Sequence, residues 1–357
     1  MRIIFGEELR EIGTKIFASC GALPEDAALI AEELTDARPM GLDSHGITRI
    51  AQYAEDVKRG SIRPNAPIEI VRETDSTAVV DCGWNFGIVA ANRMVDIAEA
   101  KAQNCNIACV TSLHAHHIGR LGSYVQKLAE RGLLAFAVAN GARSGHWVAP
   151  WGGSEGRLAT NPLAFAAPTS GDPVVLDMST SMIAEGKIRA LMQQGKSVPE
   201  GCILDAKGRP TVNPADFYGP PMGTILPFGG TLGYKGFGLS LMAEILGSTL
   251  GGTSITPDGA PNEYLNGFTV IAIRPEAFSD HLIENMDILC AYITSCIPAE
   301  GSDGVAMPGY YDFAMRKKRQ AEGIPVAEGT WDILYATMKK LGIEIDKDFG
   351  IWENTGN

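Results

Sequence analysis

Apolar residues recur at helical spacing near the start of the chain. In PEDAALIAEELTDAR, residues 24–38, four of them occupy positions i, i+3, i+4 and i+7: Ala27, Ile30, Ala31 and Leu34. This spacing is typical of an amphipathic helix, and the opening proline and two acids favour a helix start there. Pro39 and Gly41 predict that the helix ends before them.

Short apolar runs further along the chain predict buried strands. Three of them contain β-branched or aromatic residues: NIACVTS at 106–112, LLAFAVAN at 133–140 and GFTVIAIRP at 267–275. Between the first two, HIGRLGSYVQKLAERG has a helical pattern. Residues 76–103 predict a short strand, a WNFG turn and a long alanine-rich helix.

The amino-acid composition changes between residues 145 and 238, where Gly, Pro, Asn and Thr are frequent. Long ordered loops of this kind usually carry function. After the strand at 267–275 the chain is expected to be mainly helical. Because strands and helices do not alternate strictly, the sequence predicts an α/β chain that is not a regular doubly wound sheet.

Composition and charge narrow the class of protein. The chain has 357 residues, 45% of them hydrophobic, and a formal net charge of −12. That charge argues against a nucleic-acid surface, which needs clustered Lys and Arg. No segment approaches the ~18 consecutive apolar residues of a membrane span, and the N-terminus does not resemble a signal peptide. The seven cysteines are scattered without a CxxC pair, so we expect reduced thiols in a cytoplasmic protein.

A second helix is predicted over 42–60, with Asp43 or Ser44 as its cap. At 100° per residue, one sector of about 100° holds four polar residues: His45, Arg49, Gln52 and Tyr53. A small 2-oxo acid needs such a set, because a guanidinium can hold its carboxylate bidentately and an imidazole can protonate its carbonyl oxygen. The alternative is an amphipathic helix with a solvated polar face.

Two further stretches offer groups for a cofactor or a catalytic histidine. No GxGxxG follows a predicted strand, but GGTLGYKGFG places Lys235 among glycines before an apolar helix at 237–249. Backbone amides and one cation there could hold a diphosphate, and the alternative is a simple turn. Asp177, at the end of an apolar run, either orients a histidine or caps the next turn.

Three of the six histidines are clustered in LHAHHIGRLGSY, at residues 114, 116 and 117. A zinc site needs three or four ligands in a tetrahedron, and this spacing does not favour one because His117 would point away from the other two. One functional histidine is the better interpretation. The spacing leaves open which of the three it is.

Several motifs together resemble the malate/L-lactate/ureidoglycolate dehydrogenase family. They occur in the family's order: DSHGITRIAQY, HHIGRLGSY, VAPWGG, RLATNPLAF, VVLDMSTS, GYKGFGLSLMAEIL and MPG…GIPV. The resemblance covers about residues 5–345, nearly the whole chain. HHIGRLG and GCILDAKGRPTVNP are most similar to the family's hydroxycarboxylate dehydrogenase branch.

The resemblance implies a fold, a cofactor and an assembly. The fold would be the family's own non-Rossmann α/β type (L-sulfolactate dehydrogenase-like), with a mixed-sheet NAD(P)-binding domain over 119–304. Residues 1–118 and 305–357 would form a helical/αβ domain that carries the substrate helix. The cofactor would be NAD or NADP, with NAD preferred, and the chain would form a homodimer.

Site residues are carried over motif by motif. Ser44 and His45 match the family's Ser-His pair, with Asp177 as the carboxylate that orients it. Arg49 and Tyr53 match substrate-binding positions. His117 matches a histidine that some members use as the acid-base residue, so His45 and His117 are both candidate proton donors. The cofactor-binding stretches correspond to Asn140, Asp177, Met178, Ser179, Lys235, Met307, Pro308, Gly309 and Tyr310.

One departure from the family pattern concerns Tyr310, which replaces the acid of the usual PGE motif. The expected activity is hydride transfer between NAD(P) and a 2-hydroxy or 2-oxo acid such as malate, lactate or a related hydroxycarboxylate. Reduction of a cyclic imino acid of the Δ1-piperideine-2-carboxylate type is the alternative. A metal-dependent hydrolase built on the histidine cluster, or a non-catalytic binding protein, is less favoured by the sequence.

Overall fold

The computed structural model describes residues 2–36, 46–141, 145–252, 266–345, 349 and 351–352. Its helices are α1 Gly6–Ser19, α2 Pro24–Asp36, α3 Thr48–Lys58, α4 Gly87–Cys105, α5 Leu121–Glu130, α6 Glu185–Gln193, α7 Pro214–Tyr218, α8 Tyr234–Glu244, α9 Leu282–Thr294, α10 Tyr310–Glu322 and α11 Glu328–Lys340. Its strands are β1 Arg2–Ile4, β2 Glu69–Glu73, β3 Thr77–Asp81, β4 Ile107–Leu113, β5 Leu134–Ala139, β6 Leu163–Ala167, β7 Val174–Met178, β8 Ile203–Leu204, β9 Pro210–Thr211, β10 Thr224–Ile225, β11 Phe268–Ile273, β12 Ile324–Val326 and β13 Ile351–Trp352.

Seven strands form the central sheet, in the order β2-β3-β4-β11-β5-β6-β7. β3 and β4 are parallel and are joined through α4, whereas the other neighbouring pairs of described strands in this sheet are antiparallel. This confirms the predicted mixed α/β architecture. The alanine-rich face of α4 and the apolar face of α5 cover the sheet with residues such as Met94 and Leu128, both fully buried.

A second core combines the two ends of the chain. β1 pairs with β12 and β13, and α1, α2, α3 and α11 pack around side chains such as Phe17, Leu34 and Trp331. The helix predicted at 24–38 is α2, whose residues Ala27, Ile30, Ala31 and Leu34 are all buried. Strands of the central sheet come from both sides of the predicted domain boundary at residue 118. The division into domains therefore stays a prediction.

Two predicted elements differ from the structure. The helix expected over 42–60 begins at Thr48, because Gly46 and Ile47 form a turn before it; glycine is a poor helix former. The stretch 145–238 holds more than loops: it contributes β6 and β7 to the sheet, and it has a small sheet of its own in the order β10-β8-β9.

The apolar helix expected at 237–249 is α8, which continues as a π-helical turn over Ile245–Thr249.

Candidate active site

Tyr53 and His117 form the centre of the candidate site. Tyr53 lies on the buried side of α3, where its ring is 0% exposed and contacts Phe17 and Phe86. Its hydroxyl oxygen lies 2.6 Å from Nδ1 of the half-buried His117 and 3.1 Å from the His117 carbonyl oxygen. Burial raises the pKa of Tyr53 above its usual range, so the phenol keeps its proton at neutral pH.

The backbone around His117 favours one neutral tautomer. The N–H of Gly119, a glycine with φ of +76°, donates to His117 Nδ1 at 3.3 Å. Because Nδ1 accepts there, the neutral ring carries its proton on Nε2, an assignment made from the hydrogen bonds. The Tyr53 hydroxyl can serve either charge state: it donates to Nδ1 of the neutral ring, or it accepts from Nδ1–H of the imidazolium while donating to the His117 carbonyl.

The three clustered histidines have different partners. His114 is exposed, and its Nδ1 lies 3.0 Å from both carboxylate oxygens of Asp81. His116 is fully buried, with Nε2 3.8 Å from Asp56 Oδ2. Burial, with a contribution from Arg49, lowers the pKa of His116 to about 3, so this ring is neutral at physiological pH. The arrangement does not favour a metal cage, and His117 is the histidine of the three whose ring meets the Tyr53 hydroxyl.

Arg49 begins a line of polar side chains along α3. Its Nη1 donates to Gln52 Oε1, and Gln52 Nε2 donates to Asp56 Oδ2 at 3.4 Å. Asp56 is buried, which raises its carboxyl pKa, while the Gln52 hydrogen bond and the nearby arginines oppose that rise. Arg49, predicted to hold the substrate carboxylate, is therefore on the same helix as Tyr53 and one turn from it. Ser44 and His45 lie outside the described residues.

Asp177, predicted to orient a histidine, makes other contacts in the described part of the chain. Its Oδ2 accepts from the Gly122 N–H at 2.9 Å and lies 3.4 Å from Arg120 Nε. Arg120 also reaches Asp312 on α10, with Nη2 3.8 Å from Oδ2. Burial raises the pKa of Asp177, while Arg120 and the Gly122 N–H oppose the rise. A Cβ on Gly122 would lie 2.6 Å from Asp177 Oδ2, so this close approach requires glycine.

The predicted cofactor-binding residues fall into two groups. The first group lies along the edge strand β7 and comprises Asp177, Met178 and Ser179 at the end of the strand and Met307, Pro308, Gly309 and Tyr310 beside it. The Pro308 carbonyl accepts from the Val175 N–H at 3.1 Å, and a Cβ on Gly309 would contact Val175. A cavity of about 550 Å³ opens there, lined in part by Met307, Pro308 and the exposed Tyr310. The second group, Lys235 and Asn140, lies at α8 and at the end of β5.

Lys235 is exposed in the first turn of α8, while Asn140 is buried and its side chain is hydrogen-bonded inside the protein. Sequence reasoning missed several polar residues around these sites, namely Arg120, Asn161, Glu244 and Asn266. Arg120 lies within the HHIGRLG motif, and Glu244 is the one acid in the apolar stretch LSLMAEIL, a pattern that could have drawn attention to it.

The sequence profile of the malate/L-lactate dehydrogenase family matches residues 4–335. The chain belongs to this family. Hydroxycarboxylate dehydrogenase B of Escherichia coli O157:H7 is 33% identical over 335 residues, covering 92% of this chain and 91% of the relative. The profile match and this relative confirm the family predicted from the motifs, and they support an oxidoreductase that acts on a hydroxy acid.

Two solved structures of similar proteins share the fold. The sulfolactate dehydrogenase of Methanocaldococcus jannaschii superposes with a TM-score of 0.87 at 32% identity, covering 96% of this chain and 98% of that one. The Δ1-piperideine-2-carboxylate reductase of Pseudomonas syringae superposes with a TM-score of 0.83 at 28% identity, covering 94% and 100%. This supports the predicted family-specific α/β fold.

Among the described residues, no helix is long and apolar enough to cross a membrane. Within the same residues, no group of three or more His, Cys, Asp or Glu side chains is arranged to hold a metal ion.

Proposed function

We propose that the protein transfers hydride between NAD(P) and a 2-hydroxy acid or 2-oxo acid, with malate, lactate or a related hydroxycarboxylate as substrate. The observation that carries this proposal is the hydrogen bond between the Tyr53 hydroxyl and His117 Nδ1, one helical turn from Arg49. A carboxylate clamp and a proton donor on neighbouring elements are what reduction of a 2-oxo acid requires.

In the reducing direction, the Arg49 guanidinium holds the substrate carboxylate and turns the carbonyl toward the cofactor. The nicotinamide, when bound, supplies the hydride that reduces the carbonyl carbon. His117, as the imidazolium, gives its Nε2 proton to the carbonyl oxygen and is left as the neutral ring with Nδ1–H. The Tyr53 hydroxyl accepts from Nδ1–H before and after that transfer and so keeps the ring oriented. His45 remains the second candidate donor, with Ser44 and Asp177 as the groups proposed to orient it.

The residues present fit a dinucleotide. Lys235 and the first-turn amides of α8 are suited to a diphosphate, because a helix start combines orphan N–H donors with a positive dipole end. The turn before the helix is tightly packed: a Cβ on Gly236 would lie 2.1 Å from the Phe228 carbonyl oxygen. We propose that Lys235 holds the phosphates and that NAD is preferred over NADP. The other residues proposed to border the cofactor are Asn140, Asp177, Met178, Ser179, Pro308, Gly309 and Tyr310.

Reduction of a cyclic imino acid is the second candidate function. It uses the same hydride and the same carboxylate clamp, and the similarity to Δ1-piperideine-2-carboxylate reductase favours it specifically. A panel of 2-oxo acids and Δ1-piperideine-2-carboxylate, assayed first with NADH and then with NADPH, separates these possibilities. Turnover of the cyclic imine without turnover of any 2-oxo acid would reject the first proposal.

We also propose a cytoplasmic homodimer. Apolar side chains remain exposed on and beside α9, among them Ile288, Tyr292 and Ile297, the last 89% exposed. Large exposed apolar patches mark interaction surfaces. Sedimentation equilibrium tests the assembly: a mass of one chain, 38.0 kDa, at all concentrations would reject the dimer.

A further inference from the structure

A buried polar cluster lies where β5, β6, α8 and β11 meet. Its centre is the carboxylate of Glu244, the last residue of α8, which is 4% exposed. One carboxylate oxygen accepts from Asn140 Nδ2 at 2.8 Å and the other from Asn161 Nδ2 at 2.8 Å. Each oxygen therefore has an amide donor, as a buried carboxylate requires.

Asn140 connects Glu244 to the start of β11. Its Oδ1 accepts from the Gly267 N–H at 2.7 Å, and its own N–H donates to the Gly267 carbonyl at 3.1 Å. A Cβ on Gly267 would lie 2.0 Å from the Gly247 carbonyl oxygen and 2.5 Å from Asn140 Oδ1, so the contact is too close for any other residue. The Asn140 side chain is thus fixed from both sides.

Asn266 connects Asn140 to the histidine. Its Nδ2 donates to the Asn140 backbone carbonyl at 2.7 Å, and its Oδ1 accepts from the Ile118 N–H at 3.1 Å. Its backbone N–H donates to the Ala115 carbonyl at 3.0 Å. Since Ala115 and Ile118 flank His117 along the chain, Asn266 holds the backbone on both sides of that residue.

The helix end at Glu244 is itself unusual. The π-helical turn Ile245–Thr249 follows it directly, and Ser248 Oγ donates to the Glu244 carbonyl at 3.0 Å. Single π-helical turns occur frequently at functional sites. An apolar side chain at position 244 would fill the core equally well but would leave the amides of Asn140 and Asn161 without their acceptor.

We propose that Glu244 is a positioning residue for His117, acting through Asn140 and Asn266. The Glu244 carboxylate fixes the Asn140 side chain, which in turn holds the Gly267 N–H next to Asn266. The Asn140 backbone carbonyl accepts from the Asn266 amide, and Asn266 holds the 115–118 backbone so that the His117 ring meets the Tyr53 hydroxyl. This inference rests on the proposed function only in assigning the proton transfer to His117. It also gives the two ends of α8 different roles: Lys235 would bind the phosphates, and Glu244 would support the proposed proton donor His117.

The substitution Glu244→Gln keeps the size of the side chain and turns one acceptor into a donor that faces an asparagine amide. We expect kcat for 2-oxo-acid reduction to fall roughly 10- to 100-fold, the usual effect of misplacing a catalytic group through its supporting partners. KM and cofactor affinity should change little. Glu185→Gln is the matched control, because Glu185 is also buried but accepts from Arg189 and Tyr218 and not from Asn140 or Asn161; it should retain wild-type kcat.

A rescue variant separates positioning from general damage to the core. Asn140→Asp alone sets two carboxylates against each other and should also lower kcat. In the double variant Glu244→Gln/Asn140→Asp, the new glutamine amide can donate to the new aspartate while its carbonyl still accepts from Asn161. The charge of the cluster is unchanged, and at saturating cofactor we expect most of the lost kcat to return. An effect of residue 140 on the cofactor would change the cofactor affinity, which is measured separately.

Nuclear magnetic resonance of histidine-labelled protein gives a readout independent of turnover. The His117 imidazole signals, identified by their loss in His117→Asn, should shift in Glu244→Gln, return in the double variant and stay in place in Glu185→Gln. Wild-type kcat and unshifted His117 signals in Glu244→Gln would overturn the inference. A folded double variant whose kcat is no higher than that of the single variants would also overturn it. If the wild-type protein reduces no 2-oxo acid, the proposed function fails while the His117 signals still test the positioning.

Discussion

Replacing Tyr53 with phenylalanine tests whether the phenol supports the proton donor or binds the substrate. The ring would keep its packing against Phe17 and Phe86, and the variant would lose the hydroxyl that lies 2.6 Å from His117 Nδ1. A hydrogen bond to a charged group contributes about 1.5–3 kcal/mol. If that stabilisation is present in the transition state, kcat should fall roughly 10- to 150-fold.

The pH dependence of the same variant has a definite sign. The hydroxyl can accept from Nδ1–H of the imidazolium, and the Gly119 N–H that remains favours an unprotonated Nδ1. Removing the hydroxyl therefore destabilises the charged ring more than the neutral one. The limb of the kcat profile that depends on protonated His117 should move to lower pH.

The assay is kcat against pH at saturating NADH and 2-oxo acid, with folding checked by circular dichroism. Tyr218→Phe is a suitable control, since that hydroxyl donates to Glu185 at 2.8 Å and not to a histidine. An increase in KM with kcat and its pH limb unchanged would refute the reasoning and return Tyr53 to the substrate-binding role predicted from the family.

Four further substitutions test the remaining assignments. Arg49→Lys should raise KM for the 2-oxo acid steeply with little change in NADH affinity, because lysine keeps the charge and loses the bidentate geometry; an unchanged KM would remove Arg49 from the site. Lys235→Ala should weaken NADH binding in a fluorescence titration by about 1–3 kcal/mol without unfolding, as expected for a charge-assisted phosphate contact; intact affinity would make the loop only a turn. For His117→Asn and His45→Asn, removal of the true acid should lower kcat by roughly 10²–10⁴-fold and abolish the pH inflection, whereas removal of the other should act mainly on KM. Wild-type kcat and inflection in both variants would exclude both histidines as the acid.

Local patterns in the sequence were enough to predict individual elements. The apolar spacing in 24–38 predicted α2, and short apolar runs predicted β4, β5 and β11. These signals are local because a side chain's position on a helix or strand follows from the helical or strand period alone. The collinear motifs also predicted the family, which the comparisons confirm.

The order of the strands required the tertiary structure. β11 lies between β4 and β5 and pairs with both, although more than a third of the chain separates it from each of them in sequence. A buried strand has the same apolar pattern whichever neighbours it has, so the pattern does not specify its partners. The start of α3 was also misplaced, since a capping motif does not reveal the turn that precedes a helix.

In the candidate site, too, some features followed from the sequence and others required the tertiary structure. The sequence determined which residue types the chemistry needs, and it left His114, His116 and His117 as equivalent choices on spacing. The structure distinguishes them by their surroundings: one is exposed beside Asp81, one is buried and neutral, and one meets the hydroxyl of Tyr53, 64 residues away in sequence. Hydrogen bonds and desolvation depend on which groups share a volume of space, and only the folded chain brings those groups together.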